Sequence, residues 1–328
     1  MVVSITGASG HLGANLVRRL LSKGRSVRVL VHRDMRALEG LDIEIIRGNL
    51  QSKSDLDQLI RGAKTVFHLA AQISVNGAKG GIVNQTNTQG TQNVVNACIE
   101  YDVGKLIHFS SIHALADAPN RKDETITEDR DLALGAGEME YGRSKALAEQ
   151  IVLDAVKAGL NATIVNPGGV LGPHDYKPSR MGQVLMQLYQ GKMPALVDGG
   201  FAWVDVRDVI DSAIQAETRG GAGQRYLLAG PWASFRELAD TVETVTGRPA
   251  PKFVSPIWLA KWGVPFAGLL SKLTGKEPNY TMESLCAIQC HRNISCEKAK
   301  RELGFRPRPL RDTLADTFDW LKTHGVIS

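Results

Sequence analysis

Cysteine is scarce in this chain, with four among 328 residues, at Cys98, Cys286, Cys290 and Cys296. No Cys-x-x-Cys pair occurs, so neither a disulfide-stapled scaffold nor a structural zinc ribbon is expected. Cys286, Cys290 and Cys296 do cluster with His291. Their spacing matches no common zinc pattern, so the expectation is no metal and free, mostly buried thiols in a reducing cytosol. No uninterrupted apolar run reaches the roughly 20 residues of a membrane span. The nearest approach, Pro256 to Leu273, is broken by Lys261, Pro265 and Lys272. The chain opens directly on Val2-Val3-Ser4-Ile5 without a basic or apolar leader, so a cytoplasmic location is expected. Repeats, low-complexity tracts and arginine or lysine runs are also missing. The net charge of +5 is mild; it suits an anionic small ligand and gives no reason to expect nucleic acid.

What is present is an ordinary globular balance, 43% hydrophobic and 22% charged. Short β-like runs alternate with helical patterns through the first half. The strand candidates are Val2–Thr6, Val27–His32, Ile43–Ile46, Val66–Leu69, Leu106–Phe109 and Thr163–Asn166. Their near-continuous apolar character predicts strands buried on both faces. Helices are predicted over Leu12–Leu21, Ser54–Arg61, Ile82–Glu100, Glu138–Ala158 and Leu310–Thr323. This alternation predicts an α/β fold, a Rossmann-type doubly wound parallel sheet. Residues 1–166 are expected to form the dinucleotide-binding domain. Residues 167–328, richer in glycine and proline, form a smaller interleaved substrate lobe with segments returning to the first domain.

After the first strand comes Thr6-Gly7-Ala8-Ser9-Gly10-His11-Leu12-Gly13. Gly7 allows a tight turn, Gly10 lets the backbone approach a pyrophosphate, and Gly13 lets the following helix sit close to the sheet. The N–H groups at that helix start are free to take phosphate oxygens. The end of the second strand selects between cofactors, because an acid there binds a ribose hydroxyl and an arginine suits a 2′-phosphate. The sequence reads Val31-His32-Arg33-Asp34, with Arg36 following. Two arginines beyond a valine favour NADP; Asp34 would favour NAD if the register slips by a few residues.

Far downstream, Tyr141 and Lys145 stand four apart in Tyr-Gly-Arg-Ser-Lys, which places both on one helix face. A neighbouring ammonium lowers a phenol's pKa from about 10 toward the range of a general acid/base. The strand before this helix ends in Phe109-Ser110-Ser111, at the carboxyl edge where such sheets bind ligands.

Through these motifs the chain resembles the extended short-chain dehydrogenase/reductases, or NAD-dependent epimerase/dehydratase family, over essentially its whole length. Further matching pieces are Gly48-Asn49-Leu50, His68-Leu69-Ala70-Ala71, Asn87-Thr88-Gln89-Gly90-Thr91, Asn166-Pro167 and the closing Lys298–Phe305. Within the family it is most similar to the dihydroflavonol 4-reductase-like branch, through Val27–His32, Asn166-Pro167 and Leu171-Gly172-Pro173. The resemblance implies that Ser111 bonds the substrate oxygen, with Ser110 as the alternative. It implies that Tyr141 passes the proton, that Lys145 holds the nicotinamide ribose and acidifies Tyr141, and that Asn87 supplies a water or backbone link. The implied cofactor contacts are Gly7, Ser9, Gly10, His11, Leu12, Gly13, His32, Arg33, Arg36, Asn49, Leu50, Leu69, Ala70, Ala71 and Pro167. His113 lines the substrate pocket or serves packing. Two positions depart from the pattern. Many relatives carry Asp where Asn49 stands, and in the reductase-like branch the phosphate-binding arginine often occupies the place of His32.

The expected function is an NADP-preferring reductase of a ketone or aldehyde, or a nucleotide-sugar epimerase/dehydratase with tightly held NAD. A non-catalytic dinucleotide-binding scaffold is the third reading, opposed by the intact Ser111, Tyr141 and Lys145. Trp258, Trp262 and Phe266 recur every four residues. They imply core packing of the small lobe, a greasy cover over a bulky apolar substrate, or a membrane-surface contact. A homodimer is a plausible assembly.

Overall fold

The computed structural model describes residues 2–72, 81–116, 124–135, 137–264, 281–290 and 292–327. Its frame is a parallel sheet of β1 (Val2–Thr6), β2 (Ser26–Val31), β3 (Glu44–Arg47), β4 (Ala63–His68), β5 (Lys105–Phe109), β6 (Ala162–Pro167) and β10 (Arg225–Leu228), in the order β10-β6-β5-β4-β1-β2-β3. The chain winds outward from β1 through β2 to β3, then returns to β4 and winds the other way. The reversal therefore lies between β1 and β4, and a crevice opens at their carboxyl ends, where doubly wound sheets bind ligands.

The central strands are apolar because helices cover both faces. Helices α1 (His11–Ser22), α7 (Val206–Arg219) and α11 (Glu297–Leu303) share one core with Val3, Ile5, Phe67 and Tyr226. Helices α2 (Lys53–Ile60), α4 (Gly90–Glu100) and α5 (Glu140–Lys157) close the other around Leu59, Val66, Val94, Leu106 and Val152. The edge strand β3 departs from the expectation of burial on both faces. Ile45 is 37% exposed there, because an edge strand has one neighbour and a shorter helical cover.

The helix predicted over Ile82–Glu100 is also not uniform. An α-helical start α3 (Ile82–Asn84) passes into a π turn at Gln85–Gln89 before α4. Such π turns recur at functional sites, and this one carries Asn87.

The second half supplies the seventh main-sheet strand, β10. It also forms a smaller sheet of β7 (Gly169–Leu171), β9 (Gly200–Asp205) and β11 (Trp232–Ser234), and the pair β8 (Leu196–Val197) with β12 (Val254–Ser255). Helices α6 (Arg180–Tyr189), α8 (Phe235–Thr246) and α12 (Leu310–Thr323) pack around Leu185, Trp203, Leu238 and Phe318. Residues 257–264 form a further helix, α9, and α10 spans Met282–Ala287. Phe266 and His291 lie outside the described residues. Cys98 and Cys296 are buried, Cys286 and Cys290 partly so, and all four are free thiols. Among the described residues, no helix is long and apolar enough to cross a membrane.

Candidate active site

The glycine turn after β1 is packed against its surroundings. Gly7 has a φ of +75°, and a Cβ there would lie 2.6 Å from the backbone N of Ala70. Gly13 is close to its own turn rather than to the sheet face, since a Cβ would strike the Gly7 carbonyl and Ala8. Gly10 caps α1 without any side-chain hydrogen bond, so the first N–H groups of the helix face outward for an anion. Ser9 and Leu12 are half-buried beside them. The His11 ring takes another direction: its Nε2 lies 3.1 Å from the carbonyls of both Gly172 and Pro173. The His11 backbone N–H stays with the helix start. These features fit a dinucleotide, because Gly7 and Gly13 admit no side chain and the first turn of α1 carries no acidic residue.

At the end of β2, Val31 is buried, whereas His32 and Arg33 are exposed. Arg36 forks onto Asp34 through Nε at 3.0 Å and Nη2 at 2.6 Å, and that pairing draws the Asp34 carboxyl down to about 2. Asp34 and Arg36 therefore neutralise each other, and among the described residues Arg33 has no such partner. Asn49 donates its backbone N–H to Asp55 at 3.0 Å and accepts the Gln51 N–H on its side chain at 2.8 Å. Leu50 is buried behind it against Gly90.

A buried hydrogen-bond chain links β1, β4 and the π turn. Thr91 donates its hydroxyl to the Asn87 carbonyl at 2.6 Å, so His68 Nε2 must donate to Thr91 Oγ1 at 2.9 Å. Nδ1 of His68 then accepts from the Thr6 hydroxyl at 2.6 Å, and Thr6 Oγ1 accepts the Ala70 N–H at 3.3 Å. Burial holds His68 neutral, with its pKa down to about 3, as this proton order requires. The Asn87 side chain takes the Gln72 N–H at 2.7 Å, donates to the Gln72 carbonyl at 3.0 Å and donates to Ser144 Oγ at 2.9 Å. Asn87 is thus a buried clamp that ties Gln72 to the Tyr141 helix.

Ser111 follows β5 and accepts the His113 N–H at 3.2 Å, capping a 3-10 turn over Ile112–Ala114. Gly142, between Tyr141 and Lys145, lets α5 abut that turn, since a Cβ would come within 2.5 Å of the His113 carbonyl. Ser111, His113 and Tyr141 thereby converge. The His113 ring stands edge-on to Tyr141 at 6.3 Å and to Phe201 at 6.3 Å.

Electrostatically the site differs from the sequence expectation. Lys145 is buried, and its Nζ donates to the Phe109 carbonyl at 2.6 Å. The Tyr141 pKa is raised rather than lowered, because desolvation outweighs the opposing effect of the Ser111 hydroxyl. Burial brings the lysine itself down to about 8, against the pull of Glu149. The chemistry available is that of a neutral phenol beside a hydroxyl, with a buried cation behind them.

Glu149, Asn166 and Arg225 complete the group without having been singled out in the sequence as functional. Glu149 accepts from Asn166 Nδ2 at 2.9 Å and pairs with Arg225 Nε at 2.9 Å. Asn166 also donates to the Ser111 carbonyl at 3.1 Å, just before Pro167 at the carboxyl end of β6. The legible signal for Glu149 was its spacing, one further turn along the Tyr141–Lys145 face.

Comparison with known proteins agrees with this geometry. Residues 3–229 match the sequence model of the NAD dependent epimerase/dehydratase family. Sterol demethylase protein B of Methylococcus capsulatus is 30% identical over 100% of both chains. A Synechocystis sp. protein provisionally named dihydroflavonol 4-reductase is 32% identical, over 98% of this chain and 95% of its own. The crystal structure of gox2253 superposes with a TM-score of 0.85 at 31% identity, covering 100% of this chain and 99% of that one. With its doubly wound sheet, glycine cradle and Ser111, Tyr141 and Lys145 group, the chain belongs to the NAD dependent epimerase/dehydratase family and is a nicotinamide-dependent oxidoreductase.

Proposed function

We propose that the protein is an NADP-preferring reductase that converts a ketone or aldehyde to an alcohol, and in reverse an alcohol dehydrogenase. The observation that carries this reading is the convergence of Ser111 and a neutral Tyr141 phenol at the carboxyl edge of β5, with Lys145 buried behind. The cradle residues would hold a nicotinamide dinucleotide, which when bound would supply the hydride. Tyr141 donates its proton to the carbonyl oxygen, and the Ser111 hydroxyl orients that oxygen. Lys145 holds the ribose and balances the phenolate left on Tyr141. A protonated phenol is the form in which a reduction must start. The turn from Gly7 to Gly13 holds the pyrophosphate, Asn49 and Leu50 flank the adenine, and Leu69, Ala70, Ala71 and Pro167 line the cofactor's course. The defining test is a panel of carbonyls with NADPH and NADH. Net NADPH consumption is expected; retained NAD without net consumption would move the protein to the epimerases.

The NADP preference rests on Arg33, because Asp34 is already matched by Arg36. A guanidinium forks onto phosphate oxygens and keeps its charge. Arg33→Ala is expected to weaken NADPH binding by about 1.5–3 kcal/mol and to leave NADH binding nearly unchanged. Fluorescence titration of both cofactors on parent and variant decides this. Equal effects on both would assign the ribose contact elsewhere.

We also propose a bulky, apolar substrate. The His113 ring leads through Phe201 to Trp203 and Phe235 at centroid distances of 5.1 and 6.1 Å. Beyond them, α9 packs its inner residues Ile257, Ala260 and Val264 on Leu285 and Ile288. Its tryptophans do not belong to the core, since Trp258 is 62% and Trp262 76% exposed. The sequence identity with a sterol-named relative supports the same reading. Trp262→Ala is expected to raise KM for large hydrophobic carbonyls more than for small ones while leaving the Tm close to the parent's. A uniform KM effect with a lowered Tm would return the tryptophan to a packing role.

A further inference from the structure

Glu149 takes no part in the proton transfer above, yet it is a charged residue with 0% exposure in the middle of the site. A carboxylate survives such burial only when charges and donors surround it. Here they come from separate elements. Arg225 at the start of β10 approaches through Nε at 2.9 Å, and Asn166 on β6 donates to the other oxygen at 2.9 Å. The Ser110 hydroxyl at the end of β5 adjoins the carboxylate, and Lys145 lies one turn back on α5. Two of these partners in turn hold the end of β5. Lys145 donates to the Phe109 carbonyl at 2.6 Å, and Asn166 donates to the Ser111 carbonyl at 3.1 Å.

Among the described residues the charges facing Lys145 are few. Glu149 is the anion: burial raises its pKa, and Ser110, Arg225, Asn166 and Lys145 each oppose that rise. His68 from β4 and His108 from β5 also face the lysine, but burial holds both neutral. Tyr141, on the lysine's own helix, is a neutral phenol.

We propose that Glu149 is a positioning residue: its carboxylate keeps the buried Lys145 ammonium charged and, through Asn166, fixes the Phe109–Ser111 segment that carries the Ser111 hydroxyl. Without the carboxylate, the buried Lys145 loses the opposite charge that counters its desolvation. Its ammonium then gives up the proton at a lower pH. Burial already draws Lys145 down to about 8, and Glu149 opposes that fall. Loss of an opposite charge at helix-turn range lowers a pKa by about one unit or more.

The proposal rests on the reading that Lys145 holds the cofactor, so the test measures cofactor binding on the free enzyme rather than turnover. NADPH fluorescence titrations from neutral to alkaline pH should show parent affinity falling as pH rises through about 8. In Glu149→Gln the same fall should occur about one pH unit lower, with affinity on the acid side close to the parent's. Glu149→Asp, which keeps the charge, should retain the parent midpoint. Glu149→Gln/Arg225→Met also removes the arginine left without its carboxylate, and the lowered midpoint should persist in it. A Glu149→Gln protein with an unmoved midpoint and only a lower Tm would make the residue merely structural and overturn the proposal. So would a parent whose affinity ignores pH in this range. Should Glu149→Gln fail to fold, the double variant, which leaves no unpaired arginine, decides by the same downward shift, and an unmoved midpoint there overturns the proposal. A parent that binds NADPH but reduces no carbonyl sinks the reductase reading alone, because the binding midpoint is still measured.

Discussion

Tyr141→Phe is expected to lower turnover by roughly 10²–10⁴-fold, the usual contribution of a positioned general acid. That loss corresponds to about 3–5 kcal/mol of barrier. The ring itself stays, so its edge-on contact with His113 at 6.3 Å and its place beside Gly142 are kept. Cofactor affinity and Tm should therefore change little, which separates lost chemistry from lost structure. The phenol's raised pKa also sets a direction. Because burial keeps Tyr141 protonated beyond its ordinary range, reduction begins from the correct form at neutral pH. Alcohol oxidation needs the phenolate, so its rate should climb as pH rises while reduction stays level until Lys145 loses its proton. Steady-state rates in both directions across pH check this. A Phe variant turning over like the parent would assign the acid to another group.

Lys145→Met should damage both binding and chemistry. The ammonium is buried, and its pKa of about 8 keeps it mostly charged below that pH and mostly neutral above it. A charged hydrogen bond lost from the bound cofactor amounts to about 1.5–3 kcal/mol, or roughly 10- to 100-fold in affinity. Turnover should fall further, because the cation no longer balances the phenolate formed on Tyr141. The variant should also lack the alkaline fall in affinity that the parent shows near pH 8. The Phe109 carbonyl loses its donor at 2.6 Å, so some decrease in Tm is expected as well. A variant that keeps cofactor affinity and the parent's alkaline fall would remove Lys145 from the site.

Much of this molecule could be read from its sequence, and the physical reason is locality. Strands covered on both faces must be apolar runs, so β1, β5 and β6 were legible within a residue of their bounds. A turn with the backbone of Ala70 against Gly7 tolerates no side chain, so the cradle showed as glycines. Residues four apart share a helix face whatever surrounds them, so the Tyr141–Lys145 pair was visible too. Partners brought together by distant strands were not. Arg225 reaches Glu149 because β10 returns from the second half to pair with β6, a placement that no local period encodes. The π turn escaped notice because a single wider turn leaves the apolar pattern of a long helix nearly intact. The direction of the Tyr141 pKa, the Lys145 bond to Phe109 and the outward tryptophans of α9 were likewise decided by the tertiary structure. Sequence names the chemical groups and their local spacing, whereas burial and long-range contact determine which charge each group carries and what it touches.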